Sequence, residues 1–169
     1  GFALAALQRR LASSPHAIME SLRRRREKLS KQLLEAQRQG GMIETAVTIR
    51  IDDADDFDTD DYDAEEFEKL EDEAIEGAVL ASTIAELERE VTELRILEDL
   101  ARSLRASGVD RKWNELRSIL QSDEFNSGAE PRKIIIFTEH KDTLSYLVER
   151  ITTLLGSDDM VEVIHGGVN

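Results

Sequence analysis

The sequence predicts a mixed α/β protein that is predominantly α-helical: an antiparallel helical hairpin or coiled-coil insertion, followed by a βαβ unit that opens a parallel sheet. Three observations predict it. Residues 134–137 form an apolar run with no polar alternation, the pattern of a strand buried on both faces of a parallel sheet. A second apolar run at 161–164 follows a stretch that carries Leu144, Leu147, Val148, Ile151, Leu154 and Leu155 at helical spacing. Strand, helix and strand within about thirty-five residues make one crossover unit. Upstream, apolar residues recur every three or four positions over long stretches. One βαβ unit cannot cover both of its own faces, so it is expected to open a larger domain.

In chain order, residues 2–13 show helical periodicity through Leu4, Leu7 and Leu11. Ser13, Ser14 and Pro15 then read as a stop and restart, with a serine cap and proline at the first helical position. The second helix carries Ile18, Leu22, Leu29, Leu33 and Ala36 on one stripe and is expected to end at Gly40 and Gly41. Four consecutive arginines from Arg23, with Lys28 and Lys31, make it basic. Residues 42–51 alternate Val47, Ile49 and Ile51 with Thr48 and Arg50, as an extended segment does.

The stretch 52–76 holds fifteen carboxylates against Lys69 alone. A run of that kind is ordinarily solvated or disordered. Asp56, Asp58 and Asp60 have the alternation of a calcium loop, but its sixth position is Asp61 rather than glycine and its twelfth is Phe67 rather than glutamate. From 64 to 107 the pattern predicts one long helix. Leu80, Ile84, Leu87, Val91 and Leu94 keep four-three spacing, and a three-residue step to Leu97 leads on to Ala101 and Leu104, a seam with a local phase shift. Such a seam binds a partner coiled coil or packs antiparallel on the basic helix of its own chain. Glu86, Glu88, Glu90 and Glu93 are placed to face those arginines. Ser107 and Gly108 end this helix, and Asp110 caps a short one over 111–121 with Trp113, Leu116, Ile119 and Leu120 on its inner face. The predicted division is a helical module at 1–107, with the acidic segment 52–76 inside it, and an α/β beginning at 108–169.

Composition limits the function classes. No cysteine occurs, so disulfides and thiolate metal sites are excluded, in keeping with a reducing cytoplasm. No apolar run approaches the roughly 18 residues that span a membrane, so no membrane partner is expected. A net charge of −14 disfavours non-specific nucleic-acid binding by the whole surface, and any such contact must be local. His16, His140 and His165 stand in separate segments, and no Ser-His-Asp or His-Glu-x-x-His arrangement is present.

The Lys112-Trp113-Asn114-Glu115-Leu116 block, the KIIIFTEHKDTL stretch from Lys133 and the Ile164-His165-Gly166-Gly167 ending resemble, in order and spacing, the start of the second RecA-like lobe of superfamily 2 helicases. Within that superfamily the chain is most similar to DEAD/DEAH-box, Swi/Snf-type translocases, including the bacterial RNA-polymerase-recycling ATPase group. Residues 7–15 (LQRRLASSP) resemble the segment that links the two motor lobes there. The resemblance covers 108–169 well, 4–30 less well, and the acidic and long-helix region hardly at all.

The resemblance implies that Thr138, Glu139 and His140 belong to one nucleic-acid-gripping motif and His165, Gly166 and Gly167 to the next. Strand-end glycines and a small residue such as Thr138 suit that role, since they let backbone N–H groups approach phosphates. Glu139 alternatively caps the following helix, and His165 is alternatively a hydrogen-bonded strand-end residue. The implied partners are DNA or RNA, engaged through a parent motor, and an N-terminal RecA-like lobe; ATP and Mg are implied for that parent. No GxxxxGK[ST] phosphate loop occurs in this sequence, so no catalytic residue and no cofactor are assigned to the stretch itself, and it is not expected to hydrolyse ATP. A chain opening on Gly1 is expected to be cut from a longer protein. The competing reading is an acidic coiled-coil module that binds a basic protein or acts as an autoinhibitory gate by imitating nucleic acid.

Overall fold

A computed structural model of the chain describes residues 2–38, 64–77, 83–126 and 132–165. Its helices in chain order are α1 (Phe2–Ser13), α2 (Pro15–Arg38), α3 (Ala64–Gly77), α4 (Ile84–Ala106), α5 (Arg111–Leu120), α6 (Asp123–Asn126) and α7 (Lys141–Leu155), followed by a 3-10 turn at Asp158–Met160. The break between α1 and α2 is a single residue. Ser14 accepts a hydrogen bond at Oγ from the Ala17 amide at 3.0 Å, and Pro15 begins the new helix without a missing-donor penalty.

The main core lies between α2 and α4. Ile18, Met19, Leu22 and Leu29 face Leu87, Val91, Leu94 and Ala101, and Leu7 and Leu33 pack against the edge. The two helices run antiparallel: Arg26 reaches Glu98, while Gln37, further along α2, reaches the earlier Glu88. Arg25 adds a contact to Glu90.

The buried seam of α4 departs from the expected one. It runs Leu87, Val91, Leu94, Glu98, Ala101 without any phase shift. Leu97 and Leu104 lie outside it, 47% and 38% exposed. Glu98 keeps the register because Arg26 Nε approaches its Oε2 at 2.6 Å and Arg102 Nη2 its Oε1 at 2.7 Å. With both oxygens paired to guanidinium groups, a carboxylate tolerates burial that would otherwise cost several kcal/mol, on the order of the penalty for any unpaired buried charge.

The single long helix expected over 64–107 is in fact two. α4 starts afresh at Thr83, whose side chain accepts from the Glu86 amide while the Glu86 carboxylate accepts from the Thr83 amide. This reciprocal capping box satisfies donors that a continuous helix would have bonded internally. The extended segment at 42–51, the calcium-type spacing at 56–61 and the glycines at 40 and 41 lie outside the described residues.

A second, smaller core joins α5, α6 and α7. Trp113, Leu120 and Ile151 are buried there, with Leu116, Phe125, Leu147, Leu154, Leu155 and Val161 packed around them. Ile119, expected on the inner face of α5, is 51% exposed. α7 ends at Gly156, which takes the left-handed conformation (φ 72°) that closes a helix at little cost only for glycine.

The parallel sheet is not present, which corrects the predicted α/β class: the described residues are helical and contain no strand. Residues 132–138 and 161–165 are irregular and take no ladder partner. Their apolar side chains are largely outside, with Ile135 78%, Phe137 91% and Ile164 88% exposed. A continuous apolar run specifies a preference for extended backbone, whereas a strand exists only where a second segment accepts its N–H and C=O groups. Here the helix between the two runs packs on α2 and α5 instead of on a βαβ sheet.

Candidate functional site

The irregular segment 132–140 brings residues 136–139 to the foot of the helical body. A cleft of about 500 Å³ opens there between the C-terminal end of α1, the start of α5 and the first turns of α7. Ile136, Phe137, Thr138 and Glu139 form one wall. Arg9, Ser13 and Ser14 from α1 and its junction, and Lys112, Trp113, Thr143 and Tyr146 from α5 and α7, form the others. Lys112 is held at the rim by donating from Nζ to the Ala12 carbonyl at 2.6 Å, which also satisfies an orphan acceptor at the end of α1.

The floor is fixed by side-chain bonds between distant parts of the sequence. Thr143 Oγ1 lies 2.7 Å from Ser13 Oγ and 2.9 Å from Ser14 Oγ. Asp110 caps α5 by accepting from the Trp113 amide, and its other oxygen accepts from the Tyr146 hydroxyl at 2.8 Å. Burial, with that hydrogen bond and the Asp110 charge, pushes the Tyr146 phenol up to about 12. His16 stacks on the Tyr146 ring with centroids 5.6 Å apart. Burial and the Arg105 charge hold its imidazole below the usual range. Arg150 lies over both Tyr146 and Trp113, at 4.9 and 5.2 Å from the ring centres.

Behind the cleft sits a cluster of ionised groups drawn from four helices. Arg10 is fully buried. Its Nη2 lies 3.0 Å from Asp72 and 3.7 Å from Glu71, and its Nη1 lies 3.1 Å from Ser21 Oγ and 3.5 Å from Asp142. Arg24 shares Asp142, at 2.8 Å, and Asp72, at 3.4 Å. Burial opposes the charge of Arg24, but the hydrogen bond to Asp142 and the Asp142 and Asp72 charges outweigh it and raise its pKa. Arg9 donates from Nε to Glu71 at 2.7 Å and stacks over the Phe67 ring. The cluster therefore sets Arg9, Arg10 and Arg24 of α1 and α2 against Glu71 and Asp72 of α3 and Asp142 of α7. At its edge the Lys141 amide, at the start of α7, donates to Glu68 Oε1 at 2.9 Å.

The residues proposed from sequence divide between these places. Thr138 and Glu139 line the cleft. Glu139 does not cap α7: the N-cap is His140, and its side chain makes no capping bond. His140 is 2% exposed, its Nδ1 is 3.9 Å from Glu71, and neither ring nitrogen has a hydrogen-bond partner. His165 is exposed and is not among the cleft residues. Gly166 and Gly167 lie outside the described residues. Arg9, Lys112, Arg10 and Arg24 were not among the predicted site residues. Two adjacent arginines in a first helix with no other charged residue were the available signal for Arg9 and Arg10.

Among the described residues no group of three or more His, Asp or Glu side chains is placed to hold a metal ion. No described helix is long and apolar enough to cross a membrane. No family model, curated protein or solved structure matches the chain.

Proposed function

We propose that the chain is the nucleic-acid-gripping and helical coupling part of an ATP-driven helicase or translocase, acting with a separate ATP- and Mg-binding motor lobe on DNA or RNA. The reading starts from the resemblance carried by the Trp113 block, the Phe137-Thr138-Glu139-His140 stretch and the His165-Gly166-Gly167 ending. One geometric observation supports it above others. Thr138 lines the same cleft as Arg9 and Lys112, and the neighbouring Phe137 ring is 91% exposed beside them. An exposed aromatic next to cationic side chains is the combination that holds single strands, by stacking on bases and attracting phosphates. The ring has no packing role that would otherwise account for it. Catalysis of ATP hydrolysis is assigned to the other lobe, since this sequence has no phosphate-cradling loop.

The test is fluorescence anisotropy of a 5′-labelled single-stranded oligonucleotide titrated with the chain at low ionic strength. Binding is expected to weaken steeply as salt rises. Phe137→Ala is expected to weaken it about tenfold, the lower range of one base–aromatic stack, and Lys112→Gln is expected to flatten the salt dependence. No binding at low salt, or binding indifferent to both changes, would count against the reading.

A further inference from the structure

The two halves of the ionic cluster come from segments of opposite character. Residues 2–38 carry nine arginines and lysines against three glutamates, and residues 64–77 carry seven carboxylates against Lys69. α3 lays that acidic surface on α1 and α2. Its apolar attachment is small: Ile75 is its buried hydrophobic residue, while Glu71 is fully buried among arginines. A short helix would not ordinarily sink a carboxylate so deeply when an apolar residue fills the same volume at no desolvation cost. The arginines beneath explain why it does.

We propose that Arg9, Arg10 and Arg24, with the amino end of α7, form a phosphate-binding site for a nucleic-acid backbone, and that α3 covers this site with Glu68, Glu71 and Asp72 standing where phosphates would lie. Each contact the α3 carboxylates make there is one that a phosphodiester also makes. Arg9 and Arg10 present their guanidinium groups to Glu71 and Asp72, and Arg24 presents its own to Asp72. The Lys141 amide, at a helix start where the backbone favours anions, holds Glu68. His140 provides an independent sign of an unfilled role. It is buried against Glu71 with both ring nitrogens lacking a hydrogen-bond partner, and Arg10 Nε also lacks one. The Glu71 carboxylate stops short of the ring, its Oε2 3.9 Å from His140 Nδ1 and itself without a hydrogen-bond partner, so an anionic oxygen seated closer would gain a contact that α3 leaves unmade. The site adjoins the cleft, since Arg9 belongs to both. Asp142 remains as the fixed counter-charge that holds Arg10 and Arg24 in place when α3 lifts. The proposal rests on the nucleic-acid reading of the cleft and adds its regulation: α3 must leave before a strand can pass from the cleft onto the arginines.

The experiment has two arms. In the first, the labelled oligonucleotide is titrated against the unchanged chain, against Glu71→Gln/Asp72→Asn, and against that pair combined with Arg9→Gln/Arg24→Gln. The neutralised pair is expected to bind at least tenfold more tightly, and the added arginine changes to abolish the gain. In the second arm, which needs no variant to fold, hydrogen exchange of the unchanged chain is followed as oligonucleotide or tripolyphosphate is added. Backbone amides of α3 are expected to lose protection while those of α2 and α4 keep theirs. Oligonucleotide bound with α3 still fully protected overturns the gate and leaves the cleft reading standing. Release of α3 by tripolyphosphate but not by oligonucleotide upholds the phosphate site and overturns the nucleic-acid reading.

Discussion

Asp110 shows how one side chain couples local structure to the long-range packing of the cleft floor. One carboxylate oxygen caps α5 and the other accepts from Tyr146, which is 2% exposed. Replacing it with alanine removes a cap worth about 1 kcal/mol and strands a buried hydroxyl at about 1–3 kcal/mol. Asp110→Ala is therefore expected to destabilise the chain by about 2–4 kcal/mol in urea denaturation, and Asp110→Asn by distinctly less. The same contact sets an alkaline limit. An unfolded tyrosine ionises near pH 10, whereas the folded Tyr146 phenol is raised to about 12. Below pH 10 both states keep the proton and the contribution is whole. Between about 10 and 12 the unfolded chain ionises first, so stability falls with pH. The melting temperature should drop across that window, and Tyr146→Phe should drop less steeply; parallel slopes would refute the assignment. The cap was legible, because an aspartate precedes a helical run. Its partner, 36 positions away, was not, because nothing in a periodicity names a distant hydroxyl.

At the scale of elements, α4 separates what spacing specifies from what it leaves open. The apolar steps through Leu87, Val91 and Leu94 indicated a helical seam and left open whether a partner or the basic helix fills it; α2 does. The same steps predicted a shift to Leu97, whereas the glutamate at position 98 holds the seam. Its partner Arg26 lies on the other helix, and only packing brings the two together. The start of α4 was legible but passed over, since Thr83-x-x-Glu86 is a capping-box signature. The strands failed for another reason. An apolar run reports a preference for extension, and pairing is a property of two segments. These facts yield a contrast between two substitutions on α4. Leu87→Ala is expected to cost about 2–5 kcal/mol, as emptying a filled core site does. Glu98→Leu is expected to leave stability unchanged or raise it by about 1 kcal/mol, because removing a buried carboxylate ends its desolvation cost. The side chains of Arg26 and Arg102 stay 23% and 58% exposed and can turn to water. Urea midpoints decide it: if Glu98→Leu is the costlier change, the ion pairs rather than the apolar seam hold α2 to α4.

For the whole molecule, the consequence is a body with two apolar cores and a polar join. The larger core belongs to α2 and α4 and the smaller to α5, α6 and α7. The contacts between them include hydroxyl bonds from Ser13 and Ser14 to Thr143, the Lys112 bond to Ala12, the shared Asp142, the exposed Arg105–Glu149 pair, and the Tyr146 ring held against His16 and Arg105. Polar contacts of this kind each contribute about 1 kcal/mol, against several for a buried apolar side chain. The small core should therefore open at a lower free energy than the helical pair, as one of the separable units into which proteins locally unfold. The chain carries its own reporter, since its one tryptophan, Trp113, lies in the small core. Far-ultraviolet circular dichroism instead reports mainly on α1 to α4, which hold most of the described helical residues. In urea, the Trp113 fluorescence transition is expected at a lower midpoint than the dichroism transition. Thr143→Val, which removes the hydroxyl that meets Ser13 and Ser14 from a site 6% exposed, should widen the gap. Coincident transitions in both proteins would show instead that the polar join binds the two cores into one cooperative unit. The distinction bears on the cleft, because its walls are drawn from both sides of that join.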